Sequence, residues 1–234
     1  MSKTFLMVII TKNGNLNEQV KESRKIGKCV GLKFKLNFFI AYVMQQSVIR
    51  CWNSANPLLL KYHDEEWGVP LHDDRKLFEL LTLEMFQSGL NWELILKRRE
   101  GFRKAFGSFD PVKVSNYSDK EIERLVNNPE VIRNRAKIVS TINNARCFLK
   151  VQNEFGSFDA FIWRFVGGKP IQHSYASFSQ MPAETPDSKT MSAELKKLGF
   201  KFVGPTVCYA FMQAAGLVND HLTSCFRYKR LKKD

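Results

Sequence analysis

A chain of 234 residues, 44% of them hydrophobic, is long enough to build one substantial domain around its own core. A formal net charge of +13 and a pI near 9.6 call for an anionic partner, and 12% aromatics put nucleic acid ahead of a membrane surface. The five cysteines, Cys29, Cys51, Cys147, Cys208 and Cys225, are odd in number and irregularly spaced, which argues against a secreted disulfide framework and for a reducing cytoplasm.

Residues 1–48 read as a basic, poorly ordered N-terminal extension. Up to residue 43 they carry eight lysines and arginines against Glu18 and Glu22. The apolar run Phe38 to Met44 falls well short of the roughly 18 residues that a membrane span needs, and no cleavage site follows it. A second reading starts translation at Met44, because recognisable architecture begins only a few residues later.

From Cys51 the sequence is dense, with Cys51-Trp52, Pro57 and Tyr62-His63-Asp64-Glu65-Glu66-Trp67-Gly68-Val69-Pro70. Asp73-Asp74 precede a strongly periodic helix through Leu77, Phe78, Leu80, Leu81 and Leu83, with the acids well placed at its N-terminus. Glu84 falls among apolar positions in that run. An ionised carboxylate there is costly unless paired or given a task, so it is a candidate site residue, against the blander reading of an exposed helix-end acid.

Further helices are expected over 92–106, 112–117, 119–126 and 130–151, the last carrying Arg133, Arg135, Lys137 and Arg146 on a solvated or DNA-facing side. An apolar helix follows over 158–165, then a polar loop over 169–190, then a helix over 193–198 capped by Ser192. No useful alternating strand pattern and no internal repeat appear, so the fold class is all-α.

The stretch Gly199 to Cys225 brings a backbone device and a chemical device together. Phe202-Val203-Gly204-Pro205-Thr206 is a turn, and Val207, Tyr209, Ala210, Phe211, Ala214 and Leu217 follow at helical period. Pro205 suits the first helical turn, Gly204 permits close approach of a phosphate, and Gly216 is a left-handed C-terminal cap. His221 and Cys225, in H-x3-C spacing, are expected on one face of a helical turn. Cys51 and His63, separated by eleven intervening residues, supply a second Cys/His pair. Four protein ligands leave no open position for water, so a zinc held by Cys51, His63, His221 and Cys225 is structural and ties the terminal segments together.

Taken together, Cys51-Trp52, Tyr62 to Pro70, Leu83-Glu84 with Gln87, Gly89-Leu90-Asn91-Trp92, Phe109-Asp110-Pro111, Gly199 to Gly204 and Asn219-Asp220-His221 resemble the bacterial 3-methyladenine DNA glycosylase I family, in order and spacing from about Ile49 to Cys225. The resemblance implies a helix-hairpin-helix glycosylase fold over 49–228, followed by a basic tail over 229–234, and one structural Zn2+ per chain. It implies a monofunctional N-glycosylase of base-excision repair that flips 3-methyladenine out of alkylated duplex DNA and hydrolyses its glycosidic bond. Glu84 is then the catalytic pocket carboxylate. Trp52, Tyr62, Trp67 and Trp92 join it in gripping the cationic base, and Gly89, Leu90, Phe202, Gly204 and Thr206 meet the DNA. A cytoplasmic monomer with no membrane partner is expected.

Several positions depart from the wider pattern. Asn219 stands where helix-hairpin-helix glycosylases generally carry aspartate, as it does in this family, so the alkylated base must itself provide much of the drive for hydrolysis. Leu59 replaces a frequent tyrosine and Asn91 a usual serine, and the Cys51–His63 loop is one residue shorter than in some members. Two other readings stand beside this one. A non-catalytic helix-hairpin-helix DNA-binding protein would have no need of Glu84 among buried aromatics, and a zinc hydrolase or deaminase would need an open metal position beside a general acid/base, a position that four protein ligands do not leave.

Overall fold

The structure is a computed structural model that describes residues 48–232. Residues 1–47 of the expected N-terminal extension, and 233–234 of the tail, lie outside the described residues.

The described part is built from helices whose starts are written in their caps. Asn56 accepts from Leu58 N–H and Pro57 occupies the first turn of α1 (Pro57–Glu65). Asp73 accepts from Lys76 N–H at the head of α2 (Asp74–Gln87), and Asn91 from Leu94 N–H at the head of α3 (Trp92–Ala105). Asp110 caps α4 (Pro111–Ser115), and Ser118 with Glu121 forms a capping box on α5 (Asp119–Val126).

The long helix α6 runs Arg135–Phe155 rather than over 130–151. Asn134 accepts from Lys137 N–H and fixes its start, and Gly156 at φ 81° ends it. Ser157 caps α7 (Phe158–Trp163), and a 3-10 turn at Arg164–Val166 follows.

The segment expected as loop holds more structure than its composition suggests. A two-residue strand β1 (Ile171–Gln172) pairs in parallel with β2 (Val218–Asn219), in the register Ile171 to Val218 and Gln172 to Asn219. Helix α8 spans Pro186–Lys197, beginning well before Ala193, because Thr185 and Ser188 form a capping box around Pro186. Ser192 is therefore no cap. It lies inside α8 and donates to the Val203 carbonyl at 2.6 Å.

The hairpin helix α9 (Pro205–Ala214) begins at Pro205 as expected, and Gly216 at φ 71° follows its end. Any side chain at Gly216 would put a Cβ 2.3 Å from the Val69 carbonyl carbon. That close approach is sealed by Gly68 N–H donating to the Gln213 carbonyl and Leu71 N–H to that of Ala215, each at 3.0 Å. His221 and Cys225 lie in a turn between β2 and α10 (Phe226–Leu231), not on a helix.

At the centre lies α2, buried continuously from Leu77 to Phe86 and packed by α3, α6, α7 and α9. Phe78, Phe86, Phe102, Phe106, Phe109 and Phe148 interlock around it, with Phe86 edge-on to Phe102 at 4.8 Å and Phe78 edge-on to Phe148 at 5.2 Å. Truncating one such ring, as in Phe102→Ala, removes about 3–5 kcal/mol. A helix enclosed on every side also carries its polar residues, Glu79, Thr82 and Glu84, into the interior.

Candidate active site and metal centre

Glu84 sits in the last turn of α2 and is 6% exposed. Burial pushes its carboxyl up to about 8, and among the described residues it forms no ion pair. Tyr62, from the last turn of α1, lies close enough that its hydroxyl is pushed well above its ordinary range by burial and then by the charges of Glu84 and Glu66.

Trp92 opens α3 and leans on Tyr62 with ring centroids 5.2 Å apart, and Tyr62 stacks with Trp52 at 6.3 Å and an interplanar angle of 6°. The indole Nε1–H of Trp92 is buried and meets no acceptor among the described residues. The aromatic faces of Tyr62, Trp52 and Trp92 thus surround a donor with no partner among the described residues, a polar group that costs free energy until something engages it.

Trp67 connects this aromatic row to a second centre. Its ring is 5.1 Å from Trp52 and edge-on to His221 at 4.6 Å. The ligand atoms of Cys51, His63, His221 and Cys225, all buried, lie within 4.8 Å of one another. Cys51 Sγ is 3.3 Å from His221 Nδ1, and Cys225 Sγ is 3.4 Å from His63 Nε2 and 3.6 Å from His221 Nδ1. A tetrahedral zinc with ordinary Zn–S and Zn–N lengths sets such S···N edges at about 3.5 Å, so the set fits that ion.

Each imidazole turns its outer nitrogen to an acceptor, His63 Nδ1 to Asp64 Oδ1 at 2.8 Å and His221 Nε2 to the Trp67 carbonyl at 3.0 Å. These bonds leave His63 Nε2 and His221 Nδ1 as the inward lone pairs. Asp64 is held in turn by Arg50, whose Nε donates at 2.9 Å. Burial drives His221 down to about 4 and the Cys51 thiol up to about 12, so only a cation makes thiolates acceptable here.

The hairpin between α8 and α9 presents Phe202, Gly204 and Thr206. Phe202 is 44% exposed and takes φ 55°, a conformation rare for a side chain of its size. Gly204 has an ordinary φ of −64°, and a Cβ there would meet nothing within 4 Å. The fold itself does not demand glycine at 204, which is what a surface kept bare for close backbone approach looks like. Gly89 at φ 83° and the half-exposed Leu90 form a second exposed turn, between α2 and α3.

Residues missed by sequence reasoning hold both turns. Lys137, expected on a solvated or DNA-facing side, is buried, and its ammonium donates to the carbonyls of Phe86 at 3.0 Å and Ser88 at 2.7 Å, capping α2. Arg146 stays exposed and donates through Nε to the Ser115 carbonyl, while Arg135 pairs with Glu123. Asn144 Nδ2 donates to the Lys201 carbonyl at 3.0 Å while its Oδ1 accepts from Lys201 N–H at 2.8 Å, and Asn143 donates to the Gly199 carbonyl at 2.9 Å. Two adjacent asparagines inside a long apolar helix were the available signal, since such residues are poor helix formers without a partner.

Asn219 is buried and committed, donating to Gln172 Oε1 and the Tyr228 carbonyl and accepting from His221 N–H. Asp220 is equally engaged, by His173, Tyr209 and Gln213.

The sequence family described as Methyladenine glycosylase matches residues 52–228. The chain is 48% identical over 180 residues to DNA-3-methyladenine glycosylase 1 of Escherichia coli (strain K12), a match covering 76% of this chain and 96% of that protein. It superposes on a crystal structure of 3-methyladenine DNA glycosylase I with a TM-score of 0.74 at 49% identity, covering 76% of this chain and 98% of the other. The Staphylococcus aureus enzyme, in a structure on the basis of 3-methyladenine recognition, superposes with a TM-score of 0.75 at 37% identity over 79% of this chain and 96% of that one.

Proposed function

Since the chain belongs to the methyladenine glycosylase family and is a 3-methyladenine DNA glycosylase I of base-excision repair, we propose that it reads its substrate through the cleft of Tyr62, Glu84 and Trp92. The observation that carries this reading is Glu84, a buried carboxyl near Tyr62 with no ion-pair partner among the described residues. Methylation at N3 gives the nucleotide's adenine ring a positive charge. A flipped, cationic base is the counter-ion that Glu84 lacks, and its exocyclic amine is a donor for the carboxylate.

Trp92 and Tyr62 add stacking and cation–π attraction of about 0.5–2 kcal/mol per contact, with Trp52 and Trp67 extending the row. Neutral adenine offers neither the charge nor the ease of departure. In hydrolysis, water adds to the sugar C1′, the bond to the base N9 breaks, and its electron pair neutralises the ring. A proton from the water passes to solvent, leaving free 3-methyladenine and an abasic site. With Asn219 and Asp220 both committed to structural hydrogen bonds, neither side chain is free to steady the sugar cation, and the leaving group supplies the drive.

On the same reading the hairpin amides around Gly204 and Thr206 hold a backbone phosphate, Phe202 lies against the strand, and the Gly89-Leu90 turn enters from the other side. Zinc held by Cys51, His63, His221 and Cys225 would supply cohesion between the terminal segments and no chemistry, the coordination being closed. Incubation of the purified chain with methylated duplex DNA tests the whole reading. Release of free 3-methyladenine is expected, and tight duplex binding with no base released would leave the protein a DNA-binding module.

A further inference from the structure

We propose that Arg99 is the positioning residue of the base cleft, one guanidinium that fixes the spacing of the three helices carrying Tyr62, Glu84 and Trp92. The inference rests on the reading of those residues as the cleft walls. Tyr62 comes from α1, Glu84 from α2 and Trp92 from α3. None of the three holds another in place by a hydrogen bond. A planar base gripped between such walls requires their separation to be kept within a fraction of an ångström.

Arg99 lies seven residues beyond Trp92, two turns along the same face of α3. Its Nε donates to Glu79 Oε1 of α2 at 2.5 Å, and its Nη1 donates to Glu66 Oε2 at 2.6 Å. Glu66 is the residue that ends α1, and its N–H and that of Trp67 both donate to the Tyr62 carbonyl at 2.9 Å. The guanidinium therefore reaches all three helices, α3 through its own backbone and the other two through carboxylates. The Arg99 side chain is 15% exposed and that of Glu79 8%, so the pair works in a poorly hydrated place where losing one partner leaves a bare charge.

Only a flat, forked cation meets two carboxylates on divergent sides, which lysine's single ammonium does not reproduce. Arg103 is the internal comparison. It binds the same Glu79 through Nη2 at 2.8 Å, but its other contact is Glu100 of its own helix, so it does not reach α1.

The test uses the zinc-replete full chain and the variants Arg99→Met, Arg99→Lys, Glu66→Gln and Arg103→Met. Three quantities are measured: melting temperature, affinity for free 3-methyladenine by tryptophan fluorescence, and single-turnover excision from methylated duplex at saturating enzyme. Arg99→Met is expected to lose roughly 10- to 100-fold in both free-base affinity and excision, and Arg99→Lys and Glu66→Gln roughly 3- to 10-fold, with duplex affinity unchanged. Arg103→Met is expected to melt earlier while keeping both pocket readouts within about two-fold. Should Arg99→Met fail to fold, Glu66→Gln, at a side chain 40% exposed, carries the test alone. The proposal is overturned if folded Arg99 and Glu66 variants bind base and excise within two-fold of wild type, or if Arg103→Met loses as much as Arg99→Met. Wild type that released no base would overturn the functional reading instead, and the variants' free-base affinities would still decide the clamp.

Discussion

The side-chain amide of Asn144 bonds both the N–H and the carbonyl of Lys201, at 2.8 and 3.0 Å, so helix α6 dictates the shape of a hairpin 57 residues further along the chain. Two backbone groups next to the exposed Phe202 are thereby satisfied without water, and the hairpin is held in one shape. Asn144→Leu, close in size but mute in hydrogen bonding, is expected to destabilise the fold by about 1–3 kcal/mol. It should also weaken duplex binding by roughly tenfold, because only a fraction of the molecules then present the hairpin correctly. Excision at saturating enzyme should be unchanged. Anisotropy titrations beside single-turnover assays check this, and unaltered duplex affinity in a folded variant would disconnect the asparagine from DNA binding.

For Glu84→Gln the expectation is the reverse partition. The cleft keeps its shape and loses the charge-assisted bond to the flipped base, worth about 1.5–3 kcal/mol or a ~10- to 150-fold fall in excision. Duplex affinity should barely move, since phosphate contacts dominate it and do not read the base. Trp92→Ala should follow the same pattern through lost stacking. Normal excision by Glu84→Gln would show that the base is read elsewhere.

The same carboxyl makes stability depend on pH. Unfolded, it titrates near 4.5; folded, burial raises it to about 8. Between those values the folded state keeps a proton that the unfolded chain has released, so this group's contribution to stability falls as pH rises, by up to ~1.4 kcal/mol per unit. Glu84→Gln lacks the titration. Urea denaturation of both proteins from pH 5 to pH 8 should show the variant gaining on wild type by on the order of 3 kcal/mol. Parallel profiles would mean that the carboxyl titrates in its ordinary range.

Elemental analysis of the purified protein should give about one zinc per chain, and Cys51→Ala should give none. The bond from Asp64 to His63 Nδ1 sharpens this expectation. Asp64→Asn leaves all four ligands in place but no longer steadies the imidazole with a charge, and should weaken metal affinity about 10- to 100-fold in competition with a chromophoric chelator. Metal-free wild type melting at the same temperature as the loaded protein would remove zinc from the account.

Legibility in the sequence followed what is local. Pro205 and Gly216 announced both ends of the hairpin helix because each residue type has one backbone reason to be there. The cluster of Cys51, His63, His221 and Cys225 was legible from its chemistry even though His221 and Cys225 meet through a turn rather than on a helix, since convergence requires only reach. Helix α8 was read too short because Thr185-Pro186-Asp187-Ser188 looks like loop by composition, and it is the cap's hydrogen bonds that make it a helix start. Lys137 and Arg99 were illegible for a deeper reason. Periodicity tells which face of a helix a residue occupies, and says nothing of which carbonyl or carboxylate the rest of the fold will set against it.

The joining of Cys51 to His221 and Cys225 spans 170 residues of chain, and that separation bears on time as well as on equilibrium. Bringing such distant points together costs the unfolded chain about 4–5 kcal/mol of loop entropy unless the intervening helices have already condensed. The cluster is therefore expected to close late on the folding route, after the core around α2 exists. An interaction absent from the folding barrier leaves the rate of folding alone and slows the reverse step instead. Zinc in this position would be a latch on escape: stripping it should shorten the lifetime of the native molecule far more than it delays its formation.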